Sequence, residues 1–302
     1  MKREFLLLII ILFLSINLLA KNGNLINDTT KIVGWNSEAS KKDTIKVIGW
    51  HSKALVGLNV SQIALKDWSQ GGDNSMTWIS GFNGGINYYS SDGWEFKNSL
   101  KLSYGRSKLG SQDFHTNDNE LYLESVLSRQ VGWSVDPFFS NDLRTSITMG
   151  YSYNQNVPVA IANFFDPAYI TQSFGFAYDK NTMFKTRLGV AAQETFADEF
   201  RQYTNDTSVT REHAFKLDTG MESVTSTEFK IVENIKLQSS LRLFTRFESL
   251  DVWDVRWENV LTGKVNSFLN MNFSYLLIYQ KDQSFDTQMK EGLNVGFVYS
   301  FL

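Results

Sequence analysis

The stretch from Gly292 to Leu302, GLNVGFVYSFL, decides the fold class. Every second residue in it is apolar or aromatic, and the residues between them are mostly small or polar. The alternating set is Leu293, Val295, Phe297, Tyr299 and Phe301. A period of two places one face of a β-strand against an apolar medium and the other against water. The stretch therefore predicts a membrane-spanning strand.

A chain that stops on such a strand is typical of outer-membrane β-barrels. In those proteins the last strand closes the barrel and is also read by the insertion machinery. This chain departs from the usual pattern in one respect, because Leu302 follows the last aromatic residue, Phe301. We expect the outward face of this strand to contact the barrel-insertion machinery and then the lipid of the outer membrane.

The alternation continues upstream, where about twelve segments resemble the ten-residue membrane strands of barrels. Residues 94–104 are the clearest, since aromatic and leucine residues alternate there with lysine, serine and glutamate. Two further expectations follow from this pattern: a turn at Ser223–Ser226 and a fifth strand that continues to Tyr153. Connections are long and short in turn, as in outer-membrane barrels.

The fold class that follows is all-β, a transmembrane, antiparallel, up-and-down barrel of about 12 strands over residues 54–302. A large soluble β-sandwich is the alternative, because it also alternates apolar and polar residues. The high aromatic content, with 8 Trp, 12 Tyr and 23 Phe, and the length of the strands favour the barrel.

The N-terminus has the order of a secretory signal peptide, with basic residues, an apolar run and then a small residue. We expect cleavage after Ala20 and a periplasmic extension over residues 21–53. The extension contains a short repeat, since residues 31–37 recur as residues 46–52. No second apolar run is long enough for a transmembrane helix, so strands must span the membrane.

The bulk composition excludes several classes of function. There is no cysteine, so disulfide and thiolate chemistry are impossible, and the formal net charge of -3 gives no indication of nucleic-acid binding.

Four motifs resemble landmarks of an uncharacterised family of Gram-negative outer-membrane β-barrels, the domain of unknown function DUF3078. They are Asp67–Asn74, Asn163–Tyr169, Trp257–Thr262 and Leu277–Tyr279. The resemblance covers about Ala54 to Leu302. It implies the barrel fold and the outer membrane, and it brings no known activity.

The inward faces of the predicted strands carry roughly equal numbers of basic and acidic residues. A pore that selects ions of one sign would show an excess of one sign. The expected charge network of the lumen comprises Lys97, Lys101, Glu124, Arg144, Arg187, Asp254, Arg256 and Glu258. Because a barrel of about twelve strands is narrow, such side chains can either fill the lumen or line a weakly selective channel.

Two predicted external loops place aromatic, polar and glycine residues together. They supply the candidate ligand-binding residues Trp68, Asp73, Asn163, Phe164 and Asp166. The alternative is that these residues simply pack and shape the bases of the loops.

We identify no catalytic residues, metal site or cofactor motif, and we do not expect an enzyme. His213, with Glu212 and Asp218, is the nearest approach to a hydrolase site. The chain is therefore expected to be a passive channel or binding barrel for a small solute. A non-conducting structural or interaction barrel is the second possibility, and a surface hydrolase is the third.

Overall fold

The computed structural model describes residues 48–66, 69, 71–153, 157–181, 183–204, 213–281 and 286–300. The predicted signal peptide, most of the predicted extension, Trp68 and Phe301 lie outside the described residues.

The described residues form fourteen strands and one short 3-10 helix, Arg201–Tyr203. In chain order the strands are β1 (Gly49–Ile63), β2 (Ser75–Tyr89), β3 (Trp94–Leu109), β4 (His115–Arg129), β5 (Asp136–Thr145), β6 (Gly150–Ser152), β7 (Val159–Ala162), β8 (Ala168–Tyr178), β9 (Phe184–Phe196), β10 (Phe215–Val232), β11 (Ile235–Arg246), β12 (Ser249–Lys264), β13 (Leu269–Tyr279) and β14 (Gln288–Ser300). None of the described residues belongs to a helix that is long and apolar enough to cross a membrane.

Twelve strands close into one antiparallel barrel, which confirms the predicted fold class. Around the barrel the order is β1, β14, β13, β12, β11, β10, β9, β8, β5, β4, β3 and β2. The ring closes between β1 and β14, where Leu55 is paired with Ser300 and Asn59 with Gly296. β6 and β7 form a separate hairpin in the connection between β5 and β8.

The two ends of the barrel differ in the length of their connections. One end has short turns, at residues 90–93, 130–135, 179–183, 233–234 and 265–268. The other end has mostly longer loops, at residues 64–74, 110–114, 146–167, 197–214, 247–248 and 280–287. Because outer-membrane barrels have short periplasmic turns and long external loops, the first end is periplasmic and the second is external.

β5 is shorter than the predicted fifth strand. It ends at Thr145, and the predicted continuation to Tyr153 is wrong. The side chain of Asn119 explains the break, because its Oδ1 accepts hydrogen bonds from the backbone N–H groups of Ile147, at 2.9 Å, and Thr148, at 3.0 Å. These backbone groups are satisfied without a neighbouring strand, so the chain leaves the sheet.

β10 is longer than predicted. It runs through Ser223–Ser226 to Val232, and the turn lies at Glu233–Asn234. The predicted turn at this stretch is wrong, and half of its residues are valine and threonine, which are favoured in strands. Here the hydroxyls of Thr225 and Thr186, on the adjacent β9, hydrogen-bond at 2.9 Å.

β1 begins at Gly49, before the predicted first strand at Ala54. The end of the second repeat copy, Gly49–Ser52, is therefore part of the barrel wall. Its Trp50 ring lies 5.0 Å from the ring of Tyr88 on β2. At the external end, Trp78 and Tyr104 form a similar pair at 5.8 Å. Such aromatic pairs at both ends match the interfacial girdles of membrane proteins.

The outer wall is apolar and the inner wall is polar. In β14 the side chains of Leu293, Val295, Phe297 and Tyr299 are exposed by 49% to 68%, as expected for a surface that faces lipid. In β3 the inward Glu95 and Ser99 are buried, whereas Trp94 is exposed. A closed barrel with an apolar exterior and a charged interior is the architecture of Gram-negative outer-membrane proteins. The protein is thus an integral outer-membrane barrel.

Candidate functional site

The lumen carries a network of ion pairs. Alternate residues of each strand face inward, and the charged residues of the wall lie at those positions. Each of the eight residues expected in the lumen forms at least one ion pair: Lys97, Lys101, Glu124, Arg144, Arg187, Asp254, Arg256 and Glu258. What differs among these pairs is the distance around the barrel that they span.

Two ion pairs join opposite walls. The guanidinium of Arg256 on β12 lies 2.8 Å from Glu120 on β4, and five strands separate β12 from β4 in either direction. Lys101 on β3 lies 3.5 Å from Glu258 on β12. Such contacts can form only through the lumen. Arg144 also contacts Glu120, at 3.3 Å. We call these five residues the cross-lumen cluster.

A second group of charges lies along one side of the lumen, and we call it the wall cluster. It consists of Glu124, Asp142, Arg187, Glu222 and Arg242. Arg187 pairs with Glu124 and, at 3.4 Å, with Asp142. Arg242 pairs with Glu222 at 2.6 Å. The wall cluster has one more carboxylate than guanidinium, and the cross-lumen cluster has one more cation than carboxylate. Together the two clusters balance in formal charge.

A cavity of about 110 Å³ lies in the external half of the lumen. Its position follows from Tyr169, Arg144 and Tyr279, which come from the external ends of β8, β5 and β13. The lining residues are Tyr122, Asp142, Arg144, Tyr169, Thr171, Gln193, Arg242, Asp254, Val255, Arg256, Ile278, Tyr279 and Gln280. The cavity thus combines aromatic rings with groups of both charge signs.

Arg144 is the least neutralised cation at this cavity. Its carboxylate partner, Glu120, also binds Arg256 and Lys101. The Arg144 side chain is 26% exposed, against 12% for Arg256. The guanidinium carbon lies 4.8 Å from the centre of the Tyr122 ring, which holds the group in place. A guanidinium has five donors, so Arg144 keeps the capacity to bind an anionic group.

Asp142 is the acidic counterpart of Arg144 at the cavity. Its side chain is only 7% exposed, and its Oδ1 is buried without a hydrogen-bond partner among the described residues. An unsatisfied buried carboxylate oxygen is unfavourable and accepts a donor readily.

The predicted ligand-binding residues of the loops lie elsewhere. Of the four that are described, Asp73, Asn163, Phe164 and Asp166, none lines the cavity. Asp166 accepts hydrogen bonds from the backbone N–H groups of Asp198, at 3.2 Å, and Glu199, at 2.8 Å. It thereby ties the loop after β7 to the loop after β9.

Aromatic residues beside Asp166 continue this loop contact towards the rim. Phe164 is 58% exposed. The ring of Phe165 lies 5.9 Å from Phe196, which in turn lies 5.1 Å from Phe215. Because Phe196 and Phe215 are at the external ends of β9 and β10, this row lies at the external rim of the wall.

The structure describes two of the three residues considered for a hydrolase site. His213 is exposed, and Glu212 lies outside the described residues. Asp218 is paired with Lys216 and Arg246, both at 3.2 Å. Among the residues that the structure describes, no group of three metal-ligating side chains occurs.

Several residues of the site were not singled out from the sequence. Arg246 joins Asp218 to Asp254 at the external end of β11. Tyr169 contributes to the cavity although the alternation of β8 drew attention to its outward face. The only signal for either residue in the sequence is that it occupies an inward-facing position in the alternation of its strand, and many other residues do the same.

At the periplasmic end, Asp179 in the turn after β8 binds Lys97 and Lys185, both at 2.8 Å. Burial disfavours ionisation of Asp179, but the two neighbouring ammonium groups outweigh burial and lower its pKa to about 2. A carboxyl with a depressed pKa stabilises the fold above its unfolded pKa of 3.8 and loses that contribution as the pH falls through the folded value.

We therefore expect Asp179→Asn to lower the free energy of unfolding at pH 7 by about 2 kcal/mol. The difference from the wild type should shrink as the pH falls from about 4 to about 2. Urea unfolding in lipid vesicles, followed by tryptophan fluorescence, measures both values. Asp198→Asn is the control, because the Asp198 side chain is 90% exposed. A difference that is the same at pH 7 and pH 3 would contradict the assignment.

Comparison with known proteins gives one family match. Residues 60–151 match the family described as Protein of unknown function (DUF3078). The DUF3078 match covers just under a third of the chain, from within β1 to β6. It confirms the predicted resemblance. Of the four motifs that suggested it, Asp67–Asn74 lies inside the matched region and the other three lie outside.

Solved structures with a similar overall course include the translocator domain of the autotransporter NalP from Neisseria meningitidis, at 10% identity and TM-score 0.36, covering 83% of this chain and 88% of that one. An outer-membrane channel from Pseudomonas putida F1 is 8% identical with TM-score 0.40, covering 84% and 95%. The NanC porin is 10% identical with TM-score 0.38, covering 83% and 100%. At these values we carry no property over to this chain. No curated protein matches it.

Proposed function

We propose that this barrel binds a small polar solute in the external half of its lumen and lets it pass when the cross-lumen cluster rearranges. One observation carries the proposal: the cavity in the external half of the lumen is lined by Arg256, which belongs to an ion pair that joins opposite walls. A solute from outside reaches the cavity first. The pairs Arg256–Glu120 and Lys101–Glu258 join opposite walls beside this cavity, so we expect them to obstruct the way to the periplasm.

The cavity favours a solute with an anionic group. Arg144 offers donors that Glu120 does not fully engage, and the Tyr122 ring gives an apolar surface beside it. Thr171 and Gln193, which accept hydrogen bonds from Arg242 at 3.1 and 3.2 Å, present further polar groups. Binding sites for polar solutes combine aromatic surfaces with a few such convergent groups.

The same anionic group provides a route to opening. A carboxylate bound at Arg144 competes with Glu120 for the cations of the cross-lumen cluster. Because a charge-assisted pair can exchange one carboxylate for another, the pairs between β4 and β12 can be replaced by pairs with the solute. Passage is then passive diffusion through a lumen of mixed charge.

Uptake of labelled glycerate and glycerol into protein-containing lipid vesicles tests this function. The two compounds are similar in size and differ in one carboxylate. We expect the wild type to take up glycerate severalfold faster than glycerol, after subtraction of protein-free vesicles, and Arg144→Gln to abolish the preference. Lys236→Gln is the matched control, since Lys236 pairs with Glu228 on the neighbouring strand, far from the cavity. Equal uptake of both compounds by the wild type would refute the role of Arg144.

A non-conducting interaction barrel is the second candidate, and the bridged lumen is the observation that favours it. Uptake no faster than in protein-free vesicles for either compound would decide for this candidate. We do not propose catalysis, because Asp218 is engaged by Arg246 and Lys216 instead of orienting His213.

We also propose that the outward face of β14 is the part that the barrel-insertion machinery reads. Leu293, Val295, Phe297 and Tyr299 form a continuous exposed apolar row on the strand that closes the ring against β1.

A further inference from the structure

A row of polar side chains crosses the apolar outer wall. It consists of Asn98 on β3, Ser125 on β4, Asn141 on β5 and Gln172 on β8, one residue on each of four neighbouring strands. The four positions are paired directly in register: Asn98 with Ser125, Ser125 with Asn141, and Asn141 with Gln172. The row is therefore continuous.

The row faces lipid. Its members alternate with inward residues such as Ser99, Glu124 and Asp142, all of which are buried in the lumen. Two positions away along the same strands, the outward neighbours are apolar on both sides. These neighbours are Phe96 and Leu100, Leu123 and Leu127, Phe139 and Leu143, and Ile170 and Phe174. The polar row thus lies within the hydrocarbon-facing band and not at its edge.

Half of the row is satisfied internally and half is not. The Ser125 hydroxyl donates to Asn98 Oδ1 at 2.7 Å, and the Asn98 amide donates to the carbonyl of Ile86 at 3.4 Å. In the described part of the chain, no hydrogen bond engages the side-chain amide of Asn141 or Gln172. Asn141 and Gln172 are both partly exposed, so their side-chain amides reach the outer surface.

Several other outward polar groups behave differently. Thr186 and Thr225 bond to each other at 2.9 Å, and the Trp257 indole donates to Ser239 at 2.9 Å. The amide nitrogen of Asn259 also lacks a partner, but it is shielded from the surroundings. The adjacent amides of Asn141 and Gln172 are thus an accessible, unsatisfied pair on a wall that faces hydrocarbon.

Hydrocarbon offers no hydrogen bonds, so such amides are stable only when another polypeptide covers them. Within membranes, amide side chains accordingly act between protein segments. The covering chain has to lie in the same membrane and has to present donors and acceptors at the same depth. A second copy of this chain meets both requirements.

We infer that this wall is the contact surface of a homodimer in the outer membrane. A carboxamide is both donor and acceptor, so the Asn141–Gln172 pair is complementary to itself. About a twofold axis, Asn141 of each copy faces Gln172 of the other, as an isologous interface requires. Phe139 and Phe174, which are paired in register beside the amides and exposed by 47% and 61%, pack around them. This inference does not depend on the proposed transport function.

Photobleaching step counts in sparse lipid bilayers test the dimer. The chain has no cysteine, so Ser111→Cys in the exposed turn after β3 gives one labelling site for a fluorophore. We expect two bleaching steps for most wild-type spots. The double variant Asn141→Leu/Gln172→Leu should reduce the two-step fraction severalfold, and Asn141→Gln should keep it. Ser80→Leu, on the exposed outward face of β2, is the control and should remain dimeric.

The leucine variant makes the outer wall more apolar, so it should still insert, and a heat-modifiable band on a gel verifies its folding. Wild-type protein that bleaches in single steps would overturn the homodimer and point to a different membrane partner. A folded double variant that stays dimeric would place the interface on another wall.

Discussion

Replacing Arg187 with alanine is expected to lower the free energy of unfolding by about 3–5 kcal/mol, because it leaves buried charges without their partner. Arg187 pairs with Glu124, whose side chain is 2% exposed, and with Asp142, whose side chain is 7% exposed. Without the guanidinium, these two carboxylates repel each other in a site that water scarcely reaches. Urea unfolding in lipid vesicles measures the loss.

Two further variants show whether the loss comes from charge. Adding Glu124→Gln to Arg187→Ala removes one of the stranded carboxylates, so it should recover part of the stability. Arg201→Ala breaks an ion pair with Asp198 in an exposed loop, where the side chains are 44% and 90% exposed, and should change stability by less than about 1 kcal/mol. If Arg187→Ala were no more damaging than Arg201→Ala, the wall cluster would not be a buried network.

The barrel could be predicted from sequence because its wall separates two media. Each strand has to place apolar residues on one face and polar residues on the other. The alternation can therefore be recognised within the sequence of a single strand, as in β3 and β14. The prediction went wrong where a side chain replaced a strand neighbour. Asn119 satisfies the backbone beyond β5. The predicted turn at Ser223–Ser226 is also wrong, because these residues continue β10.

The site was less accessible to sequence reasoning for a related reason. The alternation of inward and outward residues along each strand assigns four charged residues to the lumen: Lys101, Glu120, Arg256 and Glu258. It gives neither their position along the barrel axis nor their position around the ring. Those depend on the stagger of twelve strands, which is a property of the closed barrel. That Arg256 lies opposite Glu120, and that a cavity lies beside this contact, could therefore be seen only in the structure.

The largest functional effect is expected when the contact between opposite walls is removed. The variant Lys101→Ala/Glu120→Ala/Arg256→Ala/Glu258→Ala, called the four-alanine variant, loses two cations and two carboxylates. Its net charge is therefore unchanged. Because the variant removes both ion pairs that join β3 and β4 to β12, the lumen should widen and conduct ions continuously. The matched control, Lys236→Ala/Glu228→Ala, removes an ion pair between the neighbouring strands β11 and β10 and should leave conductance unchanged.

Single-channel recording of the refolded protein in planar bilayers is the most direct test that the cross-lumen cluster closes this barrel. We expect brief, small openings from the wild type and from the control. The four-alanine variant, once its heat-modifiable band shows that it is folded, should give steady conductance on the order of tenfold larger, as expected for an unobstructed barrel of this strand number. Equal, steady conductance from the wild type and the four-alanine variant would show that the ion pairs do not close the lumen, and a folded variant that does not conduct would contradict the account equally.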